Sequence, residues 1–278
     1  MNVAEFTFAI WAGSVAAGFL GALTGLGGGV VVVPLLVVGF GTDIRYAAGA
    51  SLVSVIATSS GAAATYVREG YSNVRIGMFL EVATTMGALA GAFLAARLST
   101  ALISTIFGLV LLHSAYLSFR ARHGQPEVKY PDPLAVRLGM EGSYPTPSGP
   151  RYYHVRAVPL GFSLMLVAGA LSGLLGIGSG AFKVLAMDRA MRIPFKVATT
   201  TSNFMIGVTA AASAGVYLNR GYIDPGLAMP VMLGVLLGSL LGARELFKSG
   251  VELLRLIFSA VILFLAIEMI YNGLTGRL

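Results

Sequence analysis

Cysteine is absent from this chain of 278 residues, which excludes disulfide bridges, thiolate zinc sites and thiol catalysis. Charge is scarce as well. Asp, Glu, Lys and Arg make up 11% of the residues, where a soluble domain carries about 25%. Hydrophobic residues reach 56%, and the composition is that of a membrane-embedded protein. HExxH, GxSxG and Walker A sequences are missing, and no His or acidic cluster offers a metal site. The chain therefore reads as a non-enzyme that needs no cofactor. Its net charge of +7 does not point to nucleic acid, because the basic residues are scattered over loops between apolar spans, as orientation in a membrane requires. The stretch Met1-Asn2-Val3-Ala4-Glu5 lacks a positive region and a small-residue cleavage site, so Phe6 onward is expected to stay in the membrane.

Glycine is plentiful, and its placement is informative. Gly25-Leu26-Gly27-Gly28-Gly29 reappears as Gly176-Ile177-Gly178-Ser179-Gly180, an offset of 151 residues. The same offset, without a gap, matches Gly18 with Gly169, Ala47 with Ala198, Ser51 with Ser202 and Tyr66 with Tyr217. It also matches Gly70-Tyr71 with Gly221-Tyr222, Gly87 with Gly238 and Gly91-Ala92 with Gly242-Ala243. The chain is a duplicated membrane protein, with repeats over 1–119 and 155–278.

Each half holds five apolar segments. They run about Phe6–Thr24, Val30–Phe40, Ala47–Val67, Ile76–Ala96 and Thr100–Phe119, then Val155–Leu175, Ala181–Met191, Val197–Leu218, Gly226–Leu246 and Val251–Tyr271. The third to fifth of each set are long enough to cross a bilayer core of ~30 Å. The second is about half that length at 1.5 Å per residue. Segments one and two are expected to form a broken or re-entrant helical hairpin tipped by the glycine motif, an ordinary pair of crossings being the alternative. The expected fold is an all-α polytopic membrane protein of two such repeats.

Residues 120–154 form a polar linker that carries Arg120, Arg122, Lys129, Arg137 and Arg151. The positive-inside rule places it in the cytoplasm. If each half reverses the side of the chain, Arg68, Arg75, Arg189, Arg192, Lys196, Arg244 and Lys248 join it there. Arg45, Arg97, Arg220 and Arg277 fall outside. The repeats are then inverted relative to each other, with both termini outside. Gly87, Gly91 and Ala95, and Gly234, Gly238 and Gly242 in the other copy, form small-residue faces for close helix packing.

Gly25, Gly27, Gly28, Gly29 and Gly176, Gly178, Ser179, Gly180 let the backbone turn and leave N–H groups without helical partners. With the positive ends of the helices that follow, two such tips meeting near the midplane suit an anion. Lys183 lies one turn beyond Gly180, and its repeat counterpart is the apolar Val32. A lysine near the bilayer centre costs about 2.5–3.5 kcal/mol on insertion scales, so it faces a cavity or a partner. It either helps bind an anion, snorkels to the surface, or pairs with Asp188 or Glu81. Hydroxyls beside the tips donate to oxyanions without a full charge. Ser51, Ser54, Thr58, Ser59 and Ser60 stripe the first copy, and Thr199, Thr200, Thr201, Ser202, Asn203 and Thr209 the second. Interhelical bonding is the bland reading of both stripes. Glu81 is expected to pair with Arg75 near the interface, and His113 to be structural.

Gly25–Gly29 followed by Val-Val-Val-Val-Pro34-Leu-Leu and then Ala47–Ser51 resembles the TauE/SafE, or sulfite exporter, family of membrane anion transporters. So does Gly173 through Gly176–Lys183, on to Pro194-Phe-Lys-Val-Ala-Thr-Thr-Thr-Ser202-Asn203. Ser179 replaces a glycine of the usual triple, and Leu185 stands where the first copy has Pro34. The resemblance implies a secondary transporter, an exporter of sulfite, sulfoacetate or a related small organic anion across the inner cell membrane by alternating access. Without an ATP site, an ion gradient or the membrane potential would drive it. The partners implied are the small anion, the lipid bilayer and a second copy in a homodimer. A non-transporting membrane subunit of a larger complex is the alternative.

Overall fold

The structure, a computed structural model, describes residues 2–24, 28–68, 70–119, 132–146, 149–246 and 251–275. The first repeat contributes α1 (Val3–Thr24), α2 (Gly29–Pro34), α3 (Ile44–Arg68), α4 (Val74–Ala95) and α5 (Thr100–Phe119). Its counterpart contributes α7 (Val158–Leu175), α8 (Gly180–Leu185), α9 (Phe195–Asn219), α10 (Pro225–Leu246) and α11 (Val251–Thr275). Between them lie α6 (Pro133–Arg137) and an antiparallel hairpin of β1 (Gly142–Thr146) and β2 (Gly149–Tyr153). Among the described residues, α1, α4, α7 and α10 contain stretches long and apolar enough to cross a membrane.

The two short helices are built alike. α2 runs into a π-helical turn at Leu35–Gly39, and α8 into one at Ala186–Ala190. The N–H of Thr42 bonds Leu36 O at 3.1 Å, and at the same offset the N–H of Ile193 bonds Met187 O at 2.9 Å. Both ends turn through a left-handed residue, Gly41 at φ 66° and Arg192 at φ 59°. Pro34 lies inside its helix and Leu185 holds the equivalent place, so the bend does not depend on the proline. It comes from the wide turn that follows.

The repeats interlock by exchange. α1 packs on α10 and α7 on α4, so the first helix of each repeat lies on the fourth of the other, while α3 packs on α9 and α5 on α11. Glycine permits the approach. A methyl placed on Gly87 would sit 2.0 Å from Leu166 O, and one on Gly238 would sit 2.0 Å from Val15 O. Leu166 and Val15 are themselves repeat counterparts. No side chain fits at either crossing.

The ends of α3 and α9 are fastened in the same way. The Lys196 ammonium, at the start of α9, lies 4.1 Å from the ring centroid of Tyr71, just past the end of α3. The Arg45 guanidinium, at the start of α3, lies 5.7 Å from that of Tyr222, just past the end of α9. The two helices therefore run antiparallel. Arg45 also donates to Leu98 O at 2.7 Å, which gathers Arg45, Leu98 and Tyr222 at one end of the bundle.

At the other end, residues 132–154 are folded onto the bundle. Asp132 accepts from Leu134 N at 2.9 Å and Val158 N at 3.0 Å, capping α6 and tying it to the start of α7. Asn73 caps α4 by accepting from Ile76 N at 3.1 Å. Its amide donates to Met140 O at 3.0 Å and to the Tyr153 hydroxyl at 2.7 Å. Burial raises the pKa of the Tyr153 phenol, against the Asn73 bond. Ala135, Met140, Tyr153 and Val155 share one apolar cluster with Ile76, Leu80, Met191 and Ile193. The 70–75 loop, the hairpin and the 191–194 turn thus occupy one end, and Arg75, Arg137, Arg151, Arg192 and Lys196, all assigned to the cytoplasm from sequence, lie here.

Candidate functional site

Gly25 and Gly27 lie outside the described residues; Gly28 and Gly29 carry the first tip, and the second is described throughout. Gly176 at φ 70°, Gly178 at φ 69° and Ser179 at φ 46° are all left-handed, so no helix can continue through them. Ser179 pays a steric cost there that a glycine would not, a form of strain that collects at binding sites. Tyr217 of α9 secures the approach to this tip by donating to Gly173 O and Leu174 O, each at 3.1 Å. These carbonyls belong to the last turn of α7, which has no helical donors for them.

The two tips meet around Val55 of α3. A methyl on Gly29 would lie 3.1 Å from Val55 Cγ2, 2.7 Å from Ser51 Oγ and 3.4 Å from Ile177 Cα. One on Gly178 would lie 3.2 Å from Val55 Cγ1. Beyond the tips the helical stretches 29–39 and 180–190 begin with N–H groups that have no intrahelical acceptor. Two hydroxyls are buried beside them. Ser51 is 0% exposed and Ser179 2%, and neither Oγ has a hydrogen-bond partner among the described residues. Ser14, Ser72, Ser104 and Ser172 share that condition. Position at the meeting point is what distinguishes Ser51 and Ser179.

The other hydroxyls sort differently. Ser54, Thr58, Ser59 and Ser60 bond back to carbonyls three or four residues earlier on their own helix. Ser202 donates to Gly180 O at 3.3 Å, holding α9 against the second tip. Thr200 donates to Tyr71 O at 2.9 Å, and Thr201 accepts from Asn73 N at 3.0 Å, so both fasten the 71–73 loop. Asn203 is half-buried on α9. Thr199 is turned back onto Phe195 O.

Lys183 is fully buried, which rules out snorkelling. Its ammonium donates to Thr209 Oγ1 at 2.5 Å, and that hydroxyl donates to Glu81 Oε1 at 2.7 Å. Thr85 also donates to Glu81 Oε1, at 3.2 Å. The expected Arg75–Glu81 pair does not form. Arg75 turns outward and donates to Gly139 O at 3.2 Å, while Glu81 points inward between α4 and α9. A buried ammonium demands an anionic partner more strongly than a half-exposed guanidinium does. Glu81 Oε2 is buried without a partner among the described residues.

Sequence reasoning named Glu81 among the partners open to Lys183, and the structure pairs them, but it missed Thr209 as the hydroxyl that joins them. The signal was in the repeat. The counterparts of Lys183, Thr209 and Glu81 are Val32, Thr58 and Met232. Each charge is present in only one copy, Glu81 in the first and Lys183 in the second, and two unmatched opposite charges inside duplicated membrane segments mark each other as partners.

The chain is similar to known proteins over most of its length. The family model described as sulfite exporter TauE/SafE matches residues 10–269. A Bacillus subtilis protein named "Probable membrane transporter protein YunE" is 27% identical over 93% of this chain and 95% of its own length. A second B. subtilis protein, named "Probable membrane transporter protein YdhB", is 28% identical over 82% of this chain and 83% of its own. A "Probable membrane transporter protein" of Xylella fastidiosa is 25% identical over 92% of both chains. No solved structure matches. With both glycine tips, the interlocked helices and nearly the whole length inside the match, the chain belongs to the sulfite exporter TauE/SafE family.

Proposed function

We propose that this chain is a secondary transporter of the inner cell membrane that moves sulfite or a related small organosulfur or organic anion, bound where the two glycine tips meet. The observation that carries this reading is the pair of buried hydroxyls, Ser51 on α3 beside the first tip and Ser179 on the second, that have no hydrogen-bond partner among the described residues where the tips converge at Val55. Each can donate to an oxyanion, alongside the N–H groups at the N-terminal ends of the helical stretches 29–39 and 180–190. Gly25, Gly27 and Gly176 shape the turns. Lys183 supplies the positive charge one turn beyond Gly180. Ser202 and Asn203 form the wall, and Thr200 and Thr201 join that wall to the 71–73 loop.

The antiparallel course of α3 and α9 supports repeats inverted about an axis in the membrane plane. The helical stretches 29–39 and 180–190 span roughly half of a ~30 Å core, which supports tips near the midplane. Transport then proceeds by rocking one interlocked unit against the other to expose the site on alternate sides. Residues 120–154 face the cytoplasm, and both termini face outward. The names of the relatives as membrane transporters support the class.

The test is uptake and efflux of sulfite by the purified protein in liposomes, with sulfate, sulfoacetate and acetate as competitors. Saturable flux inhibited by at least one competitor is expected. Protein-independent flux with every anion would sink the transporter reading.

A further inference from the structure

Resting on that anion site, the geometry points to Glu81 as the proton-carrying group of this transporter: one proton is taken up on Glu81 for each anion bound beside Lys183. Charge balance leads to this. The ammonium of Lys183 is fully buried and is neutralised through Thr209 by Glu81, which is 8% exposed. An anion arriving at the second tip, one turn from Lys183, would place two negative charges against a single positive one. A surplus charge in a low-dielectric interior costs several kcal/mol, and a carboxylate so placed takes up a proton instead. Loaded and unloaded sites are then both neutral for a monoanion, and either can change its exposure without moving net charge through the bilayer.

The surroundings of Glu81 leave Lys183 as its partner. On α4 the other charged side chain is Arg75, bonded outward to Gly139 O. α7, packed on one side, has no titratable residue. On α9, packed on the other, the titratable residues are Lys196, over the Tyr71 ring, and Tyr217, bonded to Gly173 O and Leu174 O. Glu141 and His154 of the docked hairpin pair with each other at 2.6 Å. The unpartnered Glu81 Oε2 is the atom available to take the proton. Thr209 can accept from Lys183 while donating to Glu81, and Thr85 adds a second donor to the same carboxylate oxygen, so the relay is complete while Oε2 stays free.

Such a carrier responds to a pH difference across the membrane. The potential-driven movement expected from sequence would no longer apply to a monoanion.

The experiment is calorimetric binding of sulfite, sulfoacetate, sulfate and acetate to the full-length protein, in buffers of different ionisation enthalpy. Sulfite is corrected for its own titration. The wild type should take up about one proton per anion, so its affinity should fall as pH rises, by up to about tenfold per pH unit. Glu81→Gln should bind with no proton uptake and a flat pH profile. Tight wild-type binding without proton uptake overturns this inference and leaves the anion site standing. Binding of none of the anions overturns the anion site, and this inference with it. The wild-type measurement decides the matter even if Glu81→Gln fails to fold.

Discussion

Lys183 and Glu81 are held apart by a single hydroxyl, that of Thr209, which accepts from one and donates to the other. The pair stands at the junction of a broken helix with two long ones, joins one repeat to the other, and neither residue has a charged counterpart in the opposite copy. An otherwise symmetric bundle thereby acquires an asymmetric charge. That asymmetry shapes most of what can be measured.

Replacing Lys183 with Met leaves the Glu81 carboxylate buried without a cation. Breaking one side of a buried pair costs about 3–5 kcal/mol. The double change Lys183→Met with Glu81→Gln removes both charges and should recover a large part of that loss. Thermal unfolding in detergent, read as a double-mutant cycle, checks it. Equal and additive losses would mean that the two charges are not coupled.

Thr209→Val removes the hydroxyl but keeps the shape, and Thr209→Ser keeps the hydroxyl. The valine variant should lose at least tenfold in anion affinity because Lys183 and Glu81 are no longer bridged, while the serine variant should retain near wild-type binding. Equal binding by both would show that the bridge is dispensable.

The crossings at Gly87 and Gly238 are repeat counterparts with the same contact distance. Gly87→Ala and Gly238→Ala should each destabilise the protein by about 1–3 kcal/mol, because the added methyl must push a backbone carbonyl aside. Comparable drops in melting temperature are expected from the two. A loss confined to one copy would contradict the interlocked packing.

Asn73→Ala removes the cap of α4 together with both bonds to the docked hairpin. Loss of the cap alone costs about 0.5–2 kcal/mol. Limited proteolysis should then cut within 142–153 faster than in the wild type. An unchanged cleavage pattern would show that the hairpin is held by its apolar contacts alone.

Much of this was legible in the sequence because the duplication states each feature twice. The short second segments emerged as helical stretches 29–39 and 180–190, and the assignment of cations to two ends agrees with Arg45 beside Leu98 and Lys196 beside Tyr71. The reading failed where a side chain chooses between two partners. Arg75 lies a turn and a half from Glu81 along α4, but the carboxylate faces inward, and periodicity along one helix cannot reveal a partner arriving from α8 and α9. Residues 120–154 read as a plain polar linker because what fastens the described part, from Asp132 on, is a set of scattered contacts, such as Asp132 with Val158 and Asn73 with Tyr153. The dense Thr199–Asn203 run divided its hydroxyls between a loop and a tip, a division that composition does not encode.

The central claim is that an anion sits between the two tips, held by Ser51 and Ser179. Sulfite binding to the wild type and to the Ser51→Ala/Ser179→Ala double variant, at matched thermal stability, tests it most directly. Each lost bond to a charged group weakens binding by about 1.5–3 kcal/mol, so the double variant should bind at least a hundredfold more weakly. Wild-type affinity in that variant would contradict the account and move the site away from the tips.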